Sequence, residues 1–171
     1  NLLFIAGDLF HRQPLLKELK EVNYLFSTIP RTKVFLMAGN HDYLKQGSFY
    51  RDFQWEPNVV FFDQEKVTCA GDEELGVYVY GMSYHSQEIR ENIYDEVKPI
   101  DKKGFHVLLA HGGDEKHIPM DIAAIAGAGF DYIALGHIHK PQTLIKDMAA
   151  YAGALEPIDR NDLGPHGYVE G

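Results

Sequence analysis

The chain has a single cysteine, Cys69, among its 171 residues. One thiol excludes a disulfide scaffold and a structural zinc site made of thiolates. The chain also lacks any apolar run near the ~18–20 residues of a membrane span. Its first residues lack the basic segment of a secretory signal. We therefore expect a cytoplasmic protein that has no membrane partner.

Positive charge is also scarce. The sequence has 16 Lys and Arg residues against 25 Asp and Glu residues, and its formal net charge is −9. This balance excludes a basic groove that binds nucleic acid through Lys and Arg alone. A phosphate-bearing substrate would need positive charge from another source, such as a bound cation. The remaining composition, with 45% hydrophobic and 24% charged residues, is that of an ordinary globular domain.

The apolar pattern predicts one α/β domain over residues 1–171, without a linker or an internal repeat. Leu2–Ala6 and Lys33–Ala38 are continuous apolar runs, typical of strands buried on both faces. Between them, apolar residues recur at steps of three and four after Pro14, which predicts an amphipathic helix. A strand, a helix and a second strand in this order indicate a βαβ crossover and a parallel sheet.

Further elements follow from the same patterns. We expect helical segments at Pro119–Ala128 and Gln87–Val97, and a short helix with loops between Lys45 and Asn58. Cys69 is expected to be a small buried residue of a strand. The other predicted strands are Val59–Phe62, Val67–Ala70, Val77–Tyr80, His106–Ala110, Asp131–Leu135, Thr143–Lys146, Met148–Ala152 and Tyr168–Glu170.

Four of the apolar strands each end in a short polar turn. The turns are Gly7-Asp8, Gly39-Asn40-His41-Asp42, His111-Gly112 and Gly136-His137-Ile138-His139. Ligands of open α/β sheets bind outside the carboxyl ends of the strands, so the turns would converge if their strands share one sheet. Glycine beside each donor permits tight turns and close approach of the backbone. The sequence thus predicts one site with a carboxylate, an amide oxygen and several imidazoles.

This mixture of donors favours particular metals. Imidazole and carboxylate groups together suit Mn, Fe or Zn, whereas nitrogen ligands argue against calcium. His137 and His139 are two residues apart, and in an extended chain their side chains point the same way. Both could therefore face one metal site.

The four motifs, in this order and each after a strand, resemble those of the calcineurin-like metallophosphoesterases. The resemblance implies a four-layer αββα sandwich with two divalent metal ions at the strand ends, of which Mn is expected and Fe or Zn are alternatives. Two cations about 3.5–4 Å apart stabilise the attacking and leaving oxygens of an in-line displacement. The implied reaction is phosphodiester hydrolysis by hydroxide that the metals generate from water.

The resemblance also implies the metal ligands. Asp8 would bridge the two metals. Asn40, His111 and His137 would complete one metal site, and His139 would belong to the other.

Three more residues receive roles from the resemblance. His41 would be the catalytic histidine that protonates the leaving oxygen, which is chemistry suited to an imidazole. Asp42 would orient His41. His11 matches a histidine that helps to position DNA in one branch of the family.

That branch is the SbcD-type DNA repair exonucleases. Three segments carry this finer resemblance: Gly7–His11, Gly136–Gln142 and Gly153–Pro157, with Gly167-Tyr168 after them. The implied partners are DNA, a coiled-coil ATPase of the SbcC type and a second copy of the chain. A small-molecule phosphoesterase or nucleotide phosphodiesterase, and a non-catalytic interaction scaffold, stay open as alternatives.

One motif of the family is absent from the sequence. The family carries an Asp-x-His on an earlier strand, and those two residues normally complete the site that contains His139. We therefore expect a domain truncated at both ends that lacks its first strand and helix. We also expect it to hold one metal at most, or to have a weakly occupied second site, and to have little activity.

Overall fold

A computed structural model describes residues 1–158, 160 and 162–171. In these residues nine strands and two helices are present. In chain order they are β1 (Leu2–Ala6), α1 (Leu16–Ser27), β2 (Lys33–Met37), β3 (Val59–Phe62), β4 (Thr68–Asp72), β5 (Val77–Gly81), β6 (Phe105–His111), α2 (Ile122–Gly127), β7 (Tyr132–Gly136), β8 (Gln142–Ile145) and β9 (Ala149–Tyr151).

The strands form two sheets. One has the order β1-β2-β3 and is parallel throughout, and β1 pairs with β2 from Leu2 opposite Lys33 to Ala6 opposite Met37. The other has the order β4-β5-β6-β7-β9-β8. Its inner pairs are parallel, and its two outer pairs are antiparallel. The predicted βαβ unit of β1, α1 and β2 is confirmed.

The two sheets pack face to face with one helix on each outer side. Phe35 and Met37 of β2 pack with Leu109 of β6 in the apolar layer between the sheets. On the outer face of the smaller sheet lies Leu19 of α1, and on that of the larger sheet lies Ile125 of α2. Both helix residues are fully buried, so each helix covers an apolar sheet face that would otherwise meet water. The four-layer αββα sandwich implied by the resemblance is confirmed.

Both helices begin where a side chain satisfies their first backbone amides. In α1, the carboxylate of Glu18 accepts a hydrogen bond from the backbone N–H of Leu15 at 2.8 Å. In α2, Asp121 accepts from the N–H groups of Ala123 and Ala124, both at 3.0 Å. Such capping meets the need of the first N–H groups, which have no partner within the helix. Asp121 therefore starts α2 later than the predicted Pro119.

Two of the predicted helical segments are wrong. Residues 87–97 form turns, because Ile89 pairs with a distant loop: its N–H donates to the carbonyl of Lys116 at 2.9 Å, and its carbonyl accepts from Ile118 at 2.7 Å. Residues 45–58 likewise form turns and irregular chain around the fully buried Tyr50. In both segments tertiary contacts override the local pattern.

Two smaller predictions are also wrong. Tyr168–Glu170 forms no strand, and the N–H of the neighbouring Gly167 donates to the carbonyl of Ala154 at 3.1 Å. Cys69 is exposed, because β4 is an edge strand of the larger sheet. None of the helices in the described residues has the length and apolar character needed to cross a membrane.

Candidate metal centre

The polar turns after β1, β2, β6 and β7 meet at one end of the sandwich. The sequence pattern predicts this convergence if the four strands share one sheet, but they belong to two sheets. Strands β1 and β2 belong to the smaller sheet, and β6 and β7 belong to the larger one. The convergence arises because β1 packs across β6 and β7, which brings the strand ends of both sheets together.

One side chain from each turn reaches a common point, and we name Asp8, Asn40, His111 and His137 the inner quartet. The Nε2 atom of His111 lies 2.9 Å from Oδ1 of Asn40 and 3.3 Å from Oδ2 of Asp8. The Nδ1 atom of His137 lies 3.1 Å from the same Asn40 oxygen. The quartet is the set of residues that the sequence predicted to gather around one metal, with Asp8 also reaching a second.

Hydrogen bonds on the far side of each imidazole decide which nitrogen faces the centre of the quartet. The Nδ1 atom of His111 lies 2.7 Å from the carbonyl oxygen of Ala6, which can only accept a proton. The Nε2 atom of His137 lies 2.7 Å from the Oδ2 atom of Asp114. A neutral imidazole carries one proton, so the nitrogens that face Asn40 present lone pairs.

The centre of the quartet is therefore lined by acceptors. The His111 nitrogen lies close to both the Asn40 amide oxygen and the Asp8 carboxylate, and the His137 nitrogen lies close to the same Asn40 oxygen. The donor atoms of Asp8, His111 and His137 all lie within 4.8 Å of one another. Acceptors are brought this close in proteins when a cation lies between them. The nitrogen and oxygen donors suit Mn, Fe or Zn. The quartet thus fits a divalent metal ion.

Asp8 is held in its charged form. Burial alone would raise the pKa of its carboxyl group. The nearby His111 imidazole and the backbone N–H of His41 outweigh burial and leave the pKa of Asp8 below its ordinary value. A carboxylate at this position offers a cation the negative charge that neutral imidazoles lack.

The backbone around the quartet is strained and closely packed. Asp8 and His137 have φ angles of 50° and 95°, a region that side chains other than glycine rarely adopt. A Cβ atom at Gly7 would lie 2.5 Å from Nδ1 of His111, and one at Gly136 would overlap the carbonyl oxygen of Ala6. The glycines therefore allow the close approach that the sequence predicted.

Buried tyrosines hold the turn after β6. The Tyr84 hydroxyl donates to the carbonyl of His111 at 3.0 Å, and the Tyr151 hydroxyl donates to that of Gly112 at 2.9 Å. Burial raises the pKa of Tyr84 and of Tyr151 above the ordinary value, so both hydroxyls keep their protons. Sequence analysis missed these supports, because tyrosines on separate segments carry no local signal.

His41 and His11 lie together beside the quartet. The backbone N–H of His41 donates to Oδ1 of Asp8 at 2.8 Å. The rings of His11 and His41 stack with centroids 4.3 Å apart and an interplanar angle of 29°. Burial lowers the pKa of His41, and the charge of Asp8 opposes this shift. The structure thus brings together the two residues whose catalytic and DNA-positioning roles stay predictions.

Asp42 holds the backbone of the turn and not the ring of His41. Its fully buried carboxyl group accepts from the N–H of Gly39 at 2.7 Å and from the N–H of Phe10 at 3.2 Å. Burial and the nearby Asp8 raise its pKa to about 7. Asp42 therefore acts on His41 through the backbone: it fixes the conformation of the turn that carries His41.

His139 lies outside the quartet. Its side chain is 37% exposed, and its Nδ1 atom lies 3.1 Å from Oδ2 of Asp162. Within the described residues, His139 belongs to no group of three or more acidic, histidine or cysteine side chains whose donor atoms converge. Its expected place in a second metal site stays a prediction, and its pairing with Asp162 was missed by sequence analysis.

Asp114 and His117 form a second cluster with His137. The donor atoms of these three residues lie within 4.8 Å of one another. Burial would raise the pKa of Asp114, but hydrogen bonds from His117 and His137 lower it well below its ordinary value. Neither Asp114 nor His117 was among the site residues predicted from the sequence. The Asp-x-x-His spacing directly after His111-Gly112-Gly113 was the available signal.

A family model described as calcineurin-like phosphoesterase matches residues 1–141. The chain belongs to this family. The calcineurin-like phosphoesterases bind divalent metals and hydrolyse phosphoesters, which agrees with the donors of the quartet. Membership of this family implies that the chain has hydrolase activity.

This calcineurin-like phosphoesterase is similar to part of two longer proteins. The uncharacterized metallophosphoesterase YhaO of Bacillus subtilis is 28% identical over 98% of the chain and 44% of its own length. The DNA double-strand break repair protein Mre11 of Methanocaldococcus jannaschii is 29% identical over 92% of the chain and 46% of its own length. The chain spans about half the length of these relatives.

Proposed function

We propose that this calcineurin-like phosphoesterase is the catalytic domain of a metal-dependent DNA nuclease that acts in repair. The observation that carries the proposal is the stacking of His11 on His41 next to the inner quartet. It brings the last residue of the Gly7–His11 motif, which resembles the SbcD-type exonucleases, close to the inner quartet. The similarity to Mre11 supports the same substrate class.

The inner quartet would hold the metal ion. A divalent cation supplies positive charge to phosphate oxygens and lowers the pKa of a bound water. On a chain with a net charge of −9, it would also offset the repulsion of a polyanionic substrate. Asp8 and Asn40 provide oxygen donors, and His111 and His137 provide nitrogen donors from rigid strand ends.

His41 would act on the leaving group. The backbone N–H of His41 donates to Asp8, and Asp42 closes the same turn by accepting from Gly39. The turn therefore holds His41 beside the quartet. An imidazole in that position can donate a proton to the departing oxygen of the phosphodiester. His11 is more exposed and stacks on the outer side of His41, where it would contact the nucleic acid.

The proposal is tested by comparing two substrates in the presence of Mn²⁺. We expect weak but measurable degradation of linear duplex DNA and hydrolysis of bis(p-nitrophenyl) phosphate, since the family's Asp-x-His motif is absent from the sequence. His11→Ala should lower DNA degradation about tenfold or more and change hydrolysis of the small diester less than about threefold, because only DNA extends to His11. Lys17→Ala, which removes an exposed charge of α1, is the control. Equal losses on both substrates would contradict the role of His11.

The charge of the molecule favours one alternative. A net charge of −9 opposes binding of a long polyanion more than that of a small phosphoester. Hydrolysis of nucleotides or phosphomonoesters without any degradation of DNA would therefore identify a small-molecule phosphoesterase. Absence of any Mn²⁺-dependent hydrolysis would favour the non-catalytic scaffold, against which the intact quartet argues.

The partners and the compartment extend this proposal. We infer that the protein acts in the cytoplasm with a coiled-coil ATPase of the SbcC type, and that it forms a homodimer. Co-purification with such an ATPase and light scattering test the two associations. A monomer that binds no ATPase would contradict both associations, but it would not contradict the proposed nuclease activity.

A further inference from the structure

The two side-chain clusters of the site share His137. Its Nδ1 atom faces Asn40 in the inner quartet, at 3.1 Å, and its Nε2 atom faces Asp114, at 2.7 Å. One ring thus stands between a candidate metal centre and a carboxylate. Which nitrogen carries the proton decides whether His137 can bind a metal on the side of the quartet.

We propose that Asp114 is a positioning residue for the metal centre: it keeps the His137 proton on Nε2, so that Nδ1 presents its lone pair to the quartet. A carboxylate that accepts the second N–H of a metal-binding histidine fixes both the tautomer and the ring orientation. The proposal rests on the quartet being a metal centre, and it is independent of whether the substrate is DNA.

Hydrogen bonds other than the one to His137 fix the position of the Asp114 carboxylate. Its Oδ1 atom accepts from the backbone N–H of Lys116 at 2.7 Å and from that of His117 at 3.0 Å. The same turn is closed by the N–H of Gly113, which donates to the carbonyl of His117 at 2.8 Å. These bonds leave Oδ2 to accept from His137, so the carboxylate is a fixed acceptor.

His117 supports Asp114 from the side. Its Nδ1 atom lies 2.9 Å from both oxygens of Asp114, and its ring lies 4.5 Å from that of His137. The three side chains form a chain of hydrogen bonds that leads away from the quartet. His117 therefore restrains Asp114, and Asp114 restrains His137.

His137 needs such a restraint because its backbone is strained. Its φ angle of 95° lies where side chains are disfavoured, so the ring depends on contacts beyond its own turn for a fixed position. Asn40 contacts Nδ1 of His137, the nitrogen that faces the quartet. Asp114 supplies the opposite contact, and the two together define the plane of the ring.

The same three residues could instead bind a metal of their own, since their donor atoms lie close together. The hydrogen bonds favour the positioning role. Asp114 already accepts from two backbone amides and two imidazoles. A metal on Nε2 of His137 would also have to displace the proton that keeps Nδ1 available to the quartet.

The experiment compares Asp114→Ala and Asp114→Asn with Glu115→Ala, which removes an exposed carboxylate from the next residue. Mn²⁺ affinity and stoichiometry are measured by calorimetry. Long-range ¹⁵N–¹H NMR of the metal-free protein reports the tautomer of His137. Thermal unfolding shows whether each variant is folded.

We expect Asp114→Ala to lower Mn²⁺ affinity about 10–100-fold at unchanged stoichiometry, as for other partners of metal-binding histidines. The His137 signals should lose the pattern of a pure Nε2–H tautomer. Asp114→Asn keeps an oxygen acceptor, so affinity should stay within about fivefold of the parent protein. Glu115→Ala should change neither quantity.

Three outcomes would overturn the proposal. Unchanged affinity and tautomer in Asp114→Ala would remove the positioning role. Loss of one of two bound ions would make Asp114 a ligand of a separate metal. If Asp114→Ala does not fold, an Nδ1–H tautomer of His137 in the parent protein or in folded Asp114→Asn would be equally decisive. DNA takes no part in these measurements, so failure of the nuclease proposal would be seen separately.

Discussion

The inner quartet and the outer histidines, His11, His41 and His139, come from the same polar turns, but the protein holds them differently. The side chain of His111 is fully buried, whereas that of His139 is 37% exposed. The His111 ring is fixed by its hydrogen bond to the carbonyl of Ala6 and by its contact with Asn40, and its backbone carbonyl accepts from the buried Tyr84. Within the described residues, the His139 side chain pairs with Asp162, which lies in a loop.

The difference follows from how many residues separate each side chain from the end of its strand. Asp8 and Asn40 lie two and three residues beyond β1 and β2, and His111 is the last residue of β6. His137 directly follows β7, whereas His139 lies two residues further along the turn. Packing between the sheets therefore fixes the quartet, and loops hold the outer histidines. We infer that the quartet determines metal affinity and that the outer histidines determine rate and substrate.

The largest effect is expected for His111→Ala. Removal of a fully buried donor from the centre of the quartet should lower Mn²⁺ affinity by more than about 100-fold, which exceeds the effect typical of residues outside the ligand set. Calorimetry measures the affinity, and thermal unfolding checks the fold. His85→Ala is the matched control, because His85 lies outside the quartet. Unchanged affinity in a folded His111→Ala protein would refute the metal centre.

His41→Asn should separate chemistry from metal binding. Loss of a general acid lowers kcat by about 100-fold or more, while Mn²⁺ affinity should stay within about threefold. Steady-state hydrolysis of bis(p-nitrophenyl) phosphate and calorimetry measure the two quantities. A parallel loss of both would place His41 among the metal ligands and break the comparison.

Gly136→Ala should disturb the quartet through the fold. The added Cβ would overlap the carbonyl of Ala6, whose other partner is His111, so we expect a loss of about 1–3 kcal/mol in the free energy of unfolding. Urea denaturation measures it. Gly127→Ala is the control, because its Cβ meets open space at the end of α2. Equal stability of the two variants would contradict this prediction, because it would show that β1 and β7 accommodate the added Cβ atom.

The smallest effect is expected for His139→Ala. Since His139 does not join the converging donors of the described residues, the affinity for the first Mn²⁺ should change less than about threefold. Calorimetry should also find one tightly bound ion per chain in the parent protein. Two tight ions, one of them lost in His139→Ala, would show that the outer histidines bind a metal as firmly as the quartet does.

The sequence predicted the quartet because each donor sits beside glycine at the end of an apolar strand. Both the strand and the turn are local properties of the chain, and the order of the motifs is visible without a structure. The helix expected at Gln87–Val97 failed for the opposite reason. Ile89 pairs with Lys116 and Ile118, and no local pattern reports a partner so far along the chain.

The sequence by itself determined the residue types of the site, the parallel β1-α1-β2 unit and the family. Only the tertiary structure decided that the four strand ends come from two sheets and meet where β1 crosses β6 and β7. It also decided which nitrogen of each imidazole faces the centre, through Ala6 and Asp114. Strand formation depends on neighbours in the chain, whereas a tautomer depends on whatever group the fold places behind the ring.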